Sequence, residues 1–445
     1  ELTRSALADH PTASRAPVRF YATADSQLSD FVDQLSLLRL RRVIELTTSG
    51  AALPNRKVYR RLRDRIDAQI STVWQNRLTR ASMGRLWVRN IIQNTPFLAR
   101  ATPLQRLSGP VVVCGAGPSL DRAIPFLVAR RHAITIVAVD TALLPLVHSG
   151  VIPDHVVALE AQLINTLDFL GAPHGDYTLI ADMTSHPAAI SVHPRFACTV
   201  TAFDRVSLID RVSRLCDGVP VLAPHGSVGV TAVRLALGHG GPLLITGLDF
   251  AVRAGTTHAR CAPAALRTLA TSTRIAPARD AAFGRRLEPI TAADGTPAYT
   301  TLVLSGYSRQ LAHVAQGSPT WMLAPGGIAC GIPALSIEEA IRLVDVHPRT
   351  AVEVSPPGDD RPDPSVLRAF IEQEIAALDR FADADGRMER EQALRICDYL
   401  TVEFVHRESV DVMDRSTWYQ LIVASSYYRA QWMQSVRRLN LPAQS

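Results

Sequence analysis

The sequence predicts an α/β fold: a Rossmann-like, doubly wound central domain flanked by helical N- and C-terminal regions. Three observations carry this reading. Between residues 108 and 335, short β-rich apolar runs alternate with helical patterns, the mark of a parallel sheet with helices on both faces. Several of those runs are apolar almost throughout, as strands buried on both sides are. On either side of this zone the apolar spacing is helical. The divisions that follow are a mainly helical region over 1–107, the Rossmann-like domain over 108–335 and a helical C-terminal domain over 336–445.

The elements follow in order. Leu35, Leu38, Leu40, Val43 and Ile44 form one apolar helical stripe, and Leu62, Ile66, Ile70, Val73 and Trp74 form another. Gly50, Pro54 and Asn55 punctuate the gap, and Pro96 and Pro103 close the zone. The strands are then PVVVCG, ITIVAVD, HVVALE, YTLIADM, ACTVTAF, PVLAP, PLLITGLDF and TWMLAP. From Ser336 the pattern returns to helix, interrupted by the Pro- and Asp-rich stretch 354–364. Among the late aromatics, Trp418, Tyr419, Tyr427, Tyr428 and Trp432 suit a packed helical core better than a docking surface.

Composition narrows the function. The chain has 445 residues, nets +6 and is 47% hydrophobic, so a large core is affordable and global disorder is not. Lys57 is the only lysine. A Walker P-loop needs a lysine directly after its glycines and a Schiff-base enzyme needs a buried amine. Neither fits here, and an anion held by a cation must be held by arginine. The arginine excess itself reads as genome drift, and Arg60, Arg61, Arg63 and Arg65 suit a solvated helix face rather than a nucleic-acid groove. Cys114, Cys198, Cys216, Cys261, Cys330 and Cys397 stand far apart, without the spacing of a zinc site. Reduced thiols, no apolar run of the roughly 18 residues a membrane span needs, and no signal-peptide pattern make a cytoplasmic protein the expectation.

Ligands of open α/β sheets bind outside the carboxyl ends of the strands. The first strand ends in Cys114-Gly115-Ala116-Gly117-Pro118-Ser119, where Ser119 can cap a helix whose N-terminal N–H groups suit a phosphate. Leu120 stands where the dinucleotide fingerprint needs its third glycine, which disfavours an NAD site. A tight turn without a ligand is the competing reading. Asp140 ends the second strand, at the distance where a carboxylate reaches a ribose, and Glu160 ends the third. Gly226 and Ser227 open another helix as a second anion cradle. Asp249 ends an apolar strand and His258 follows within ten residues, a carboxylate and an imidazole able to act as base and orienter. Tyr299 and Thr300, placed at the start of a helix, and Tyr307 within it are candidates to stabilise a leaving group. Ordinary helix capping and packing is the reading these three favour. No metal cluster is visible, and any divalent ion would be held by Asp or Glu together with the donor's phosphate.

These residues fall into a recognisable pattern. GAGPSLD (115–121), GVIPDHVVALE (150–160), GSVGVTAVRLAL (226–237), GLDFA (247–251) and GTTHA (255–259) resemble the MptE-like (DUF115) domain. With WVRNIIQNTPFL (87–98), APGGIACGIPALSIEEAI (324–341) and the helical flanks, the chain resembles the motility-associated factors, the Maf flagellin glycosyltransferases. The resemblance implies transfer of a nonulosonic acid, of pseudaminic or legionaminic type, from a CMP-activated donor to Ser/Thr of flagellin. It implies that Gly115, Gly117, Pro118 and Ser119 face the donor nucleotide and that Gly226 and Ser227 lie by phosphate or the sugar carboxylate. Asp249 and His258 match the family's GxD and THA positions. Leu248 stands where family members often carry Gln, and Glu160 where they often carry Asp. The alternatives are a 6-hydroxymethylpterin pyrophosphokinase, to which the archaeal members of the same domain family correspond, and a non-catalytic flagellin-binding factor. Flanks of about a hundred residues on each side favour a macromolecular acceptor.

Overall fold

Valines and isoleucines without intervening polar residues build the centre of the molecule. In the computed structural model, β1 (Val111–Cys114), β2 (Thr135–Val139) and β3 (His155–Ala158) are buried along their whole length. So is β7 (Leu243–Thr246), while β4 (Thr178–Asp182) and β5 (Phe196–Thr201) each leave one terminal residue half-buried. With β6 (Val221–Leu222), β10 (Thr320–Leu323) and β11 (Ala334–Leu335) they form a nine-stranded sheet, order β11-β10-β7-β1-β2-β3-β4-β5-β6. Every pairing in it is parallel. The strands step outward from β1 to β6, and the chain then returns to lay β7 on the other side of β1. That reversal makes the sheet doubly wound and puts its switch point between β1 and β7.

The structure describes residues 56–173, 175–203, 206–215, 219–253, 255–275, 287–349, 361–407 and 410–439. The stripe from Leu35 to Ile44, the break at Gly50 to Asn55, Cys216 and most of the 354–364 stretch lie outside them. One compact unit runs up to Gly84 and includes Val402–Val410; the other comprises Arg85–Thr401 and the chain from Asp411. Helix α1 (Arg56–Asn94) takes up the second predicted stripe. In the first unit Arg80 donates to the carbonyls of Phe404 and Val405, at 3.0 and 3.2 Å.

All that follows concerns the second unit. The helices after the strands are α2 (Ser119–Ala129), α3 (Asp140–His148), α4 (Pro187–Ser191), α5 (Ser207–Ser213), α6 (Val228–Ala236) and α7 (Pro263–Thr271). Asp140 is thus the first residue of α3, directly after β2. An antiparallel hairpin, β8 (Glu288–Thr291) with β9 (Pro297–Thr300), precedes α8 (Leu302–Ala315). Tyr299 and Thr300 therefore lie on a strand, not on the helix the sequence places there. The helix begins after Thr301, whose hydroxyl caps it at Leu304 N. A capping box of Ser336 and Glu339 starts α9 (Ile337–Val346), and α10 (Pro364–Asp383), α11 (Gly386–Ile396) and α12 (Arg415–Leu439) complete the unit. Trp432 and Tyr428 are core residues, whereas Tyr419 is 69% exposed.

Candidate functional site

Two turns interlock at the switch point. Gly115 N donates to Thr246 O at 2.8 Å and Gly117 N to Gly247 O at 2.7 Å, while Gly247 N donates to Ser119 Oγ at 3.0 Å. The glycines are required by this close approach. Gly247 has φ +69°, and a Cβ there would lie 2.0 Å from Gly115 O. Leu248 is buried between Gly115 and Gly229, where a Cβ on either glycine would meet its Cδ2 at 2.3 Å. The leucine in place of an amide therefore fills a gap between backbones.

Asp249 is 4% exposed, and its Oδ2 accepts from Ser119 N at 2.8 Å. The N–H that the sequence offers to a phosphate is thus satisfied by a carboxylate from within the chain, which suits a helix N-terminus for the same electrostatic reason. Its other oxygen, Oδ1, is buried without a hydrogen-bond partner in the protein. Burial holds this carboxyl above the usual range, opposed by Ser119, Arg122 and Arg253. Both arginines pair with Asp294 at the hairpin tip and donate to carbonyls of the 324–326 loop. Next to this, Phe250 and Ala324 adopt φ +48° and +47°, the kind of backbone strain that persists only where surrounding contacts hold it. The THA segment joins the same place, with Ala259 N donating to Ala116 O at 2.8 Å. His258 Nδ1 lies 3.0 Å from Thr257 Oγ1. Thr300 donates its buried hydroxyl to Phe250 O, and Tyr299 pairs through its backbone with Val252.

The N-terminus of α6 differs from that of α2. Ser227 is its N-cap but makes no side-chain cap hydrogen bond. Gly226, at φ +68°, lies under Tyr307, whose Cε1 would be 3.0 Å from a Cβ there. The Tyr307 hydroxyl is raised by burial and by the charge of Glu160. Gly226 and Ser227 thereby lie beside Tyr307, and the second of the two predicted cradles is the one left open.

Beyond it lies a narrow crevice lined by Asp140, Glu160, Asn165, Thr166 and His186 over Ala158, Phe169 and Ala189. Asp140 is raised to about 7, first by burial, then by the charges of Asp168 and Glu160, against a hydrogen bond from Thr141 N. Asp168 is raised to about 6 by burial, against Arg267 at 3.6 Å. Glu160 is raised by burial, against a hydrogen bond with Asn165. Asp168, Asn165 and Arg267 were not legible in the sequence. The first two sit in an irregular 3₁₀ segment, Leu163–Phe169, that offers no periodicity to read. A broader depression, lined by Arg131, His132, Asp154 and Arg349, lies at the opposite, amino-terminal edge of β2 and β3. Among the described residues, no group of three or more His, Cys, Asp or Glu is placed to hold a metal, and no helix is long and apolar enough to cross a membrane.

Residues 89–255 match the family model described as 6-hydroxymethylpterin diphosphokinase MptE-like. Two uncharacterized proteins of Treponema pallidum (strain Nichols) are similar in sequence. One is 32% identical over 273 residues, which is 57% of this chain and 46% of the relative. The other is 33% identical over 85 residues, 18% of this chain and 40% of the relative. The chain thus spans less than half the length of either relative. Among solved structures, the Maf glycosyltransferase from Magnetospirillum magneticum AMB-1 aligns over 95% of this chain and 68% of its own, at 15% identity and a TM-score of 0.47.

Proposed function

From the premise that this chain carries an MptE-like domain over residues 89–255, we propose that it is a glycosyltransferase. It moves a nonulosonic acid from a CMP-activated donor to Ser/Thr of flagellin and so serves flagellar assembly and motility. The observation that carries a nucleotide-activated donor is the N-terminus of α6, where Ser227 makes no side-chain cap hydrogen bond and Gly226 lies under Tyr307. There the backbone N–H groups after Ser227, with the Ser227 and Tyr307 hydroxyls, meet the donor's phosphate. Asp140 and Glu160 accept from the ribose hydroxyls. The sugar and the acceptor rest on the motif resemblance.

In this reading the bond between the sugar's anomeric carbon and the phosphate breaks, and CMP leaves with the electron pair. The acceptor hydroxyl attacks the oxocarbenium-like centre from the opposite face and gives its proton to a base. His258 is that base, being the group whose ordinary titration range is nearest neutrality. Asp249 orients that base or positions the acceptor. Substituting His258→Ala should lower transfer by about 10²- to 10⁴-fold while leaving CMP affinity intact; unchanged transfer would remove it from this role.

The description of the matching family favours a second reading, a pterin diphosphokinase. Thermal shift with CMP and with ATP, followed by CMP release on adding CMP-nonulosonate and flagellin, separates the two. CMP binding with turnover supports the transferase. ATP preference with pterin turnover supports the kinase, and flagellin capture without either supports a binding factor. Repeating turnover with magnesium and with EDTA decides metal dependence.

A further inference from the structure

The stretch WVRNIIQN (87–94) forms the last turns of α1, with TPFL continuing into the 3₁₀ helix Thr95–Arg100, and both of its asparagines are completely buried. Asn90 and Asn94 are four residues apart and so share one helix face. Asn90 Nδ2 donates to Ala161 O at 3.0 Å and to Thr184 O at 2.8 Å. Asn94 Nδ2 donates to Met183 O at 2.9 Å and to Ser185 O at 2.8 Å. Asn90 thereby ties the loop that leaves β3 to the loop that leaves β4, and Asn94 holds the β4 loop at two further carbonyls. Those loops carry Glu160 and His186, which line the crevice, and His186 N in turn donates to Glu160 O at 3.0 Å.

A helix that needed only to pack here would be served by leucine, because a buried amide is favourable only when its hydrogen bonds are made. Asn94 Oδ1 is buried with no partner at all, so the residue is not there for the best satisfaction of its own polar atoms. What the pair supplies is four fixed donors, spaced by one helical turn, to four loop carbonyls that a strand ladder does not reach. The match to the family begins at residue 89, so it includes this end of α1.

We infer that Asn90 and Asn94 are positioning residues of the donor site, setting the places of Glu160 and His186 by clamping the loops that bear them. The inference rests on the reading of Glu160 as a donor-binding carboxylate. Their opposite neighbours are braced as well: Ser435 on α12 donates to Ile92 O at 2.9 Å, so the turn that carries the asparagines is held from behind.

The test uses the full chain with Asn90→Leu and Asn94→Leu, each alone and combined with Glu160→Gln. Hydrogen exchange of amides 183–188 should accelerate about tenfold in either variant, and that of amides 160–170 likewise in Asn90→Leu, the factor set by the net worth of one or two hydrogen bonds, with β1 unchanged. CMP affinity by calorimetry should fall by about tenfold in the single variants, and the loss should vanish in the Glu160→Gln background, because the clamp acts through that carboxylate. Loops that exchange as in the parent protein, or losses that add in full to that of Glu160→Gln, overturn the inference. Should Asn90→Leu not fold, Asn94→Leu carries the same test through its own two carbonyls. If the parent protein binds no CMP, the donor reading fails, and the exchange arm still decides whether the asparagines hold the loops.

Discussion

Asp140 shows what one residue can disclose that its position in the sequence does not. Its place after the second strand was readable, since an apolar run ending in a carboxylate marks a strand end. Its surroundings were not, because Asp168 acts on it from an irregular segment and is itself paired with Arg267, on a helix about a hundred residues further along the chain. The consequence is a pH dependence with a definite sign. A carboxyl raised to about 7 in the fold binds its proton more tightly folded than unfolded. Its contribution is full below the ordinary carboxylate range, is lost as pH rises toward about 7, and changes no further above that. Asp140→Asn keeps an oxygen for Thr141 N and removes the titration. The variant should therefore be more stable than the parent at pH 8, by an amount on the order of a few kcal/mol, and equal to it near pH 4. Melting curves across that range check this; an unchanged difference between pH 4 and pH 8 would count against the buried-carboxyl account.

At the scale of elements, all eight strands read from apolar runs are present, because a strand buried on both faces is written as a continuous apolar run. The misses have equally physical causes. The hairpin β8–β9 is short and mostly exposed, so Tyr299 and Thr300 carry no apolar pattern to distinguish strand from helix start. The Gly115–Ser119 turn was legible as a turn, whereas Gly247–Asp249 reads as the end of a strand that stops at Thr246; their contact was not legible, since the pairing of β1 with β7, five strands intervening along the chain, is a property of topology. Their interlocking makes a specific demand on Gly247. Alanine there would need a left-handed backbone and would drive its Cβ into Gly115 O. Gly247→Ala should cost about 3 kcal/mol or more in urea unfolding, whereas Gly295→Ala, at a hairpin tip with open space around it, should cost only the strain of its positive φ. Equal losses in the two would show that the close approach is not what the glycine serves.

Within the second unit, the α/β layer and the late helices are joined, beside other contacts, by an ion pair whose carboxylate is buried. Arg211 on α5 forks onto Glu374 on α10, with Nε to Oε1 at 2.6 Å and Nη2 to Oε2 at 3.0 Å. Glu374 is 4% exposed, and Tyr399 donates to it at 3.4 Å. Arg211 also reaches Ser207, whose amide and hydroxyl are held by Asp398. Nothing in the sequence could pair these residues, 163 positions apart, in a chain where arginine is too common to be informative singly. A bidentate pair of this kind is costly to break and cheap to replace, because removing one partner leaves the other charge buried without compensation. Arg211→Leu should therefore lose about 3–5 kcal/mol, while Arg211→Leu with Glu374→Leu together should lose clearly less than Arg211→Leu alone. Urea unfolding of the three proteins gives the answer. If the double variant is the least stable of them, the pair contributes net attraction rather than mutual neutralisation, and the junction between sheet and helices depends on charge rather than on the apolar contacts around Trp432 and Tyr428.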